Sequence, residues 1–177
     1  MVGSDRFEEL ISPDKVAWRI KEMGAQITRD YADKELVLVG ILKGSVFFMA
    51  DLARHIDLPI TMDFLGLSSY GDATRSSGVV RITQDLTNPI GGKHVLVVED
   101  IVDSGLTLRF LKENFDSRQP ASFKIATLLH KPTNSLETMK LDYVGFEVED
   151  RFIVGYGLDF EQKYRNLPYV AVLKDQP

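Results

Sequence analysis

An open α/β fold, with a mainly parallel twisted sheet flanked by helices, is what this sequence predicts. Three observations carry the prediction. Residues 36–42 and 95–98 are near-continuous apolar runs, as in strands buried on both faces. Segments of this kind alternate with segments whose apolar residues recur at helical spacing. The run Val95-Leu-Val-Val ends on two adjacent carboxylates, Glu99 and Asp100, and a small-residue turn then feeds a helix-periodic segment. Open α/β sheets bind their ligands at that carboxyl edge.

The elements follow in order. Residues 13–23 read as an amphipathic helix, with Ser12 as N-cap and Pro13 at the first helical position. Residues 36–42 are a buried strand, followed by helix-like spacing over 45–54 and a strand over 60–65. Residues 66–78, rich in Gly, Ser, Asp and Thr, read as a mobile loop. Residues 79–83 return as a strand, and Asn88-Pro-Ile-Gly-Gly marks a turn. After the strand at Val95 come a helix over about 107–115, a strand over 123–129, and short strands over 152–154 and 169–173. No repeat, low-complexity tract or composition break divides the 177 residues, so they read as one domain.

Composition narrows the function classes. Apolar content of 44% with 27% charged residues suits a soluble globular protein. A net charge of −5 argues against a broad nucleic-acid-binding surface. With no cysteine there is no disulfide, thiolate catalysis or sulfur-ligated zinc. Residues 1–10 lack the apolar segment of a secretory signal, and no run approaches transmembrane length. The expectation is a cytoplasmic enzyme or binding protein that engages neither nucleic acid nor membrane. His55, His94 and His130 have no metal-motif spacing; the first two read as a helix end and a strand start. There is no P-loop, and Gly155-Tyr-Gly157 lacks the third glycine of the dinucleotide fingerprint.

The chemistry concentrates at residues 99–107. Ser104, Gly105 and Thr107 fall where the next helix begins, and exposed N–H groups there cradle phosphate. Carboxylates beside an anion site imply a ligand with both hydroxyls and phosphate, such as a sugar phosphate. Each residue also has a plainer reading. The acidic pair can be solvated surface, Ser104 and Thr107 helix caps, and Asp103 an N-cap. Lys131 can be a surface lysine and Phe152 ordinary core.

Glu99, Asp100 and Asp103 resemble the phosphoribosyl-pyrophosphate signature of type I phosphoribosyltransferases. Leu42-Lys43-Gly44-Ser45, Ser69-Tyr70, Leu128-Leu129-His130-Lys131-Pro132, Val154-Gly155-Tyr156-Gly157-Leu158-Asp159 and Arg165-Asn166-Leu167-Pro168-Tyr169 appear in family order from about Leu36 onward. The series resembles the hypoxanthine-guanine phosphoribosyltransferase family, which implies the type I fold with a small base-binding hood from the terminal segments, mainly about 145–177. It also implies transfer of the phosphoribosyl group from phosphoribosyl pyrophosphate to a 6-oxopurine, with Mg2+ as cofactor, in a homodimer or homotetramer.

Site roles are likewise implied by the resemblance. Glu99 and Asp100 hold the ribose hydroxyls and orient a magnesium-bound substrate. Asp103 through Thr107, with Ser104, Gly105 and Leu106 between, wrap the 5′-phosphate. Asp103 is the general base facing N7. Lys131 bonds the purine O6, Phe152 stacks on the ring, and Ile153 supplies backbone contacts. Asp159 lies at the purine and serves a second magnesium, largely through water, while Arg165 contacts pyrophosphate. Lys43-Gly44 resembles the pyrophosphate loop, often built around a non-proline cis peptide, and Ser69 and Tyr70 match the closing lid. One departure is visible: Glu149 stands where the family commonly has proline, at the entry to the hood. Xanthine preference, or a regulator that senses phosphoribosyl pyrophosphate without catalysis, are the alternatives. Retention of Asp103, Lys131 and Phe152 speaks against the regulator. A sugar-phosphate isomerase or kinase on a similar sheet does not account for the combined motifs.

Overall fold

A computed structural model describes residues 6–70, 79–103, 105–132 and 140–174. In chain order the elements are β1 (Phe7–Ile11), α1 (Pro13–Asp30), β2 (Leu36–Leu42), α2 (Val46–Arg54), β3 (Ile60–Tyr70) and β4 (Val79–Gln84). There follow β5 (His94–Val102), α3 (Leu106–Asp116), β6 (Ser122–His130), β7 (Tyr143–Glu147), β8 (Ile153–Val154) and β9 (Val170–Leu173). A six-stranded sheet runs β4-β3-β2-β5-β6-β7, parallel throughout except where β4 returns against β3. A three-stranded antiparallel sheet, β1-β9-β8, joins the first strand to the last.

Strand alternation assigns the helices to faces. Leu36 and Leu38 of β2, with Leu96 and Val98 of β5, pack under α1 and α2. Val37, Val39 and Ile41, with Val95 and Val97, face the other way onto Leu108, Leu111 and Phe115 of α3. Both faces of the central strands are therefore covered, which is why β2 and β5 read as unbroken apolar runs. Among the described residues no helix is long and apolar enough to cross a membrane.

Several boundaries differ from expectation. α1 starts as predicted, with the Ser12 hydroxyl accepting from Lys15 N at 3.4 Å, but continues past Met23 to Asp30. Its buried stripe runs on through Ile27, so packing against the sheet extends the helix. Beyond the apolar run Val95–Val98 the strand continues through Glu99 and Asp100 to Val102, because β6 pairs with it as far as His130. Residues 66–70, expected as loop, extend β3 by pairing with β4. Strands β1 and β7 were not predicted. β7 is an edge strand whose Val144 and Gly145 carbonyls accept from the Arg19 guanidinium at 2.6 and 3.0 Å, so α1 blunts that edge.

This topology places the site. Strands β2, β5 and β6 are parallel and finish on one edge of the sheet, so the residues after them, Lys43, Asp103 and Lys131, emerge at the same end.

Candidate active site

Glu99 and Asp100 sit in the last part of β5, just past Val98, where the pairing with β2 stops and that with β6 continues. Glu99 is buried, at 5% exposure. Burial first, and then the neighbouring Asp100 charge, hold its carboxyl well above the usual range. Asp100 is partly buried; loss of solvent pushes it up to about 6, against the opposing pull of the Ile101 N–H and the Arg165 guanidinium. The Ile101 N–H donates to Asp100 Oδ1 at 2.9 Å. Two adjoining carboxyls kept from water are costly for the free protein and are met most readily by hydroxyl donors or a cation. The solvated-surface reading of the pair does not hold.

Two turns stack beside Asp100. The Leu42–Lys43 peptide is cis and leads into Gly44. Any side chain on Gly44 would run into the Asp100 carboxylate, and one on Gly157, at φ +105°, would strike the Gly44 carbonyl. The turn around Gly157 is held by reciprocal bonds: Gly157 N donates to the Arg165 carbonyl at 2.9 Å, and Arg165 Nη1 donates to the Gly157 carbonyl at 2.8 Å. Arg165 Nη2 also pairs with Asp159 Oδ1 at 2.6 Å. The Gln162 N–H donates to Asp159 Oδ2 at 2.8 Å. Gln162 Oε1 in turn accepts from Arg165 at 3.2 Å and from Lys43 at 3.5 Å. Gln162 was not singled out from sequence; a polar residue three past Asp159 carries no local signal for reaching Lys43.

Lys131 follows β6 and is buried, its side chain 9% exposed. Its ammonium lies 3.1 Å from Asp150 Oδ1 and 3.5 Å from Asp103 Oδ2. The surface-lysine reading therefore fails, since a buried ammonium persists by pairing with carboxylates. The N-cap of α3 is Gly105, at φ +81°, so Asp103 is not the cap. Leu106 and Thr107 open α3, and Gly105 and Thr107 line a small cavity with Glu99 and Asp103. A second cavity, lined by Glu99, Asp100 and Thr107 together with Ile41 and Leu67, adjoins the same acids.

Phe152 is 39% exposed and meets Phe160 edge-on at 5.6 Å, while Ile153 beside it is buried. An exposed ring braced from behind leaves a face for stacking. Ser104 lies outside the described residues, as do residues 71–78 of the expected lid and the side chains of Ser69 and Tyr70; the backbone of those two ends β3.

The acids also fit a magnesium ion, within limits. Among the described residues no group of three or more Asp, Glu or His is arranged to hold a metal. Glu99 and Asp100 are adjacent, and Asp159 is close enough for its charge to act on Asp100. That is a donor set for Mg2+, which takes one or two carboxylates and completes its shell with water and substrate phosphate.

Residues 9–161 match the phosphoribosyl transferase domain. The hypoxanthine-guanine phosphoribosyltransferase of Streptococcus pneumoniae is 51% identical over 176 residues, covering 99% of this chain and 98% of the relative. That of Bacillus subtilis is 49% identical over 174 residues, covering 98% and 97%. The chain belongs to the hypoxanthine-guanine phosphoribosyltransferase family. Its fold agrees: a crystal structure of a hypoxanthine phosphoribosyltransferase from Staphylococcus aureus superposes with a TM-score of 0.92 at 45% identity, covering 96% of this chain and 93% of that one. The sheet is that of the type I phosphoribosyltransferases.

Proposed function

We propose that this chain is a purine-salvage transferase, moving the 5-phosphoribosyl group of phosphoribosyl pyrophosphate to N9 of hypoxanthine or guanine to yield IMP or GMP and pyrophosphate. The observation that carries the reading is the meeting of Lys131 with Asp103 beside the buried pair Glu99 and Asp100. A 6-oxopurine protonated at N7 offers an acceptor at O6 and a donor at N7. It satisfies an ammonium and a carboxylate together, whereas adenine puts an amino group against the ammonium.

The roles follow from the chemistry of each group. Glu99 and Asp100 accept from the ribose 2′ and 3′ hydroxyls. The N–H groups of residues 105–107, with the hydroxyls of Ser104 and Thr107, hold the 5′-phosphate. Phe152 stacks on the base, Ile153 and Asp159 border it, and the small sheet that carries Ile153 serves as the hood. Asp103 takes or shares the N7 proton as the N9–C1′ bond forms and the C1′–O bond to pyrophosphate breaks. Arg165 and the Lys43–Gly44 turn hold the departing pyrophosphate. Magnesium, when bound near Glu99, Asp100 and Asp159, supplies positive charge to the phosphates. A cationic sugar is open to attack by water, so Ser69 and Tyr70 belong to the lid that excludes it. The reading includes a cytoplasmic homodimer or homotetramer.

The test is a magnesium-dependent assay with phosphoribosyl pyrophosphate and each of hypoxanthine, guanine, xanthine and adenine. Turnover of the first two with adenine inert is expected. Binding of phosphoribosyl pyrophosphate without turnover of any base would sink the enzyme reading.

A further inference from the structure

The Lys131 ammonium touches two carboxylates, and the reaction proposed above employs only one of them. Asp103 comes from the end of β5 and is needed at N7. Asp150 comes from the segment between β7 and β8, lies nearer, at 3.1 Å against 3.5 Å, and has no part in that chemistry. We infer that Asp150 is a positioning residue. It holds the Lys131 ammonium at the 6-oxo group of the purine when Asp103 turns to N7, and so sets the preference for 6-oxo over 6-amino bases. The inference rests on the function proposed above.

The argument begins with burial. A lysine head group this poorly hydrated needs a compensating charge, and withdrawing one of two carboxylates throws the burden on the other. With Asp150 absent, the ammonium has Asp103 as its nearer attraction. It is then drawn off O6 and onto the proposed base, so one loss weakens base recognition twice.

Asp150 is 57% exposed at its side chain, yet its backbone is tethered on both sides. Upstream, the Val148 N–H donates to the carbonyl of His130, the residue before Lys131, at 2.9 Å. Downstream, Arg151 makes a two-pronged contact with Glu8 of β1, at 3.1 and 2.6 Å. Next to it, the Phe152 carbonyl accepts from Leu173 N at 3.2 Å. The carboxylate is thus presented from a braced turn rather than a free surface loop, which is what positioning a partner requires. The Arg151–Glu8 pair ties the turn to the small sheet that also carries Ile153. Glu149 stands in this same turn, and its carbonyl accepts from the Arg151 N–H at 2.8 Å.

The experiment compares wild type, Asp150→Asn, Asp150→Glu, Lys131→Met and the double variant Lys131→Met/Asp150→Asn. For each, KM for hypoxanthine, KM for phosphoribosyl pyrophosphate, kcat/KM with adenine and the thermal midpoint are measured. Asp150→Asn is expected to raise KM for hypoxanthine about ten- to a hundredfold, the worth of a charge-assisted hydrogen bond. KM for phosphoribosyl pyrophosphate and the thermal midpoint should hold, and the hypoxanthine-to-adenine ratio should fall. Asp150→Glu should recover part of the loss. In the Lys131→Met background the Asn substitution should add nothing, because it acts through the lysine.

Additive effects would overturn the inference, as would equal losses for both substrates, an unchanged ratio, or a variant that fails to fold. An active wild type with an indistinguishable Asp150→Asn sinks this inference alone. A wild type inert toward every purine sinks the proposed function and this inference with it.

Discussion

Asp100→Asn should make the protein more stable at pH 8 and leave it little changed near pH 4. The carboxyl is raised from 3.8 to about 6 in the folded chain, chiefly by burial. An acid with a raised folded pKa binds its proton more tightly folded than unfolded, so its contribution to stability is complete below about pH 4 and is lost as pH rises through 6. At about 1.4 kcal/mol per pKa unit, ionising it in place costs about 3 kcal/mol. Asparagine escapes that cost, keeps an oxygen for the Ile101 N–H, and removes a charge that also burdens Glu99. The gain corresponds to a rise in midpoint of about 6–12 °C for a chain of this size. Urea melts from pH 4 to pH 8, in chelator to keep magnesium away, measure the difference directly. A variant less stable than wild type at pH 8, or a gap that does not widen with pH, would refute the reasoning. Magnesium should narrow the gap by stabilising wild type preferentially, and activity should be lost in the variant even as stability rises, as expected where a site is built at the expense of the fold.

Further outcomes can be read on the same protein. Asp103→Asn should lower kcat by about 10²- to 10⁴-fold, the usual worth of a general base, while leaving KM for both substrates near wild type. A loss shared equally by KM would count against its role as base. Lys131→Gln should reduce kcat/KM for hypoxanthine by about ten- to a hundredfold and erode discrimination against adenine; a preserved ratio in competition assays would remove Lys131 from base selection. Gly157→Ala puts a side chain at φ +105° and against the Gly44 carbonyl, so it should cost about 2 kcal/mol or more and weaken phosphoribosyl pyrophosphate binding. A calorimetric melt matching wild type would show that the two turns separate without penalty.

What the sequence determined by itself is the part of the molecule encoded within a few residues. A strand buried on both faces must be apolar throughout, so β2 was legible to its ends and β5 to its acids. Ser12-Pro13 and the small residues before Leu106 announced the starts of α1 and α3, because caps and turns act over single turns of chain. The motif series, read in order, was enough to nominate Glu99, Asp100, Asp103, Lys131 and Arg165. Strands β1 and β7 escaped because a short strand at an edge or in a small sheet exists by virtue of its partners, β9 and β6, and of Arg19 reaching across from α1. Asp150 and Gln162 escaped for the same reason: each matters through one contact to a residue remote in sequence, Lys131 or Lys43. The burial of Glu99 was equally invisible. Adjacent acids look alike whether solvated or sealed, and only the sheet closing around β5, with Gly44 against the Asp100 carboxylate and Gly157 against Gly44, decides that Glu99 is buried, that Asp100 is partly so, and that lost solvent raises both carboxyls.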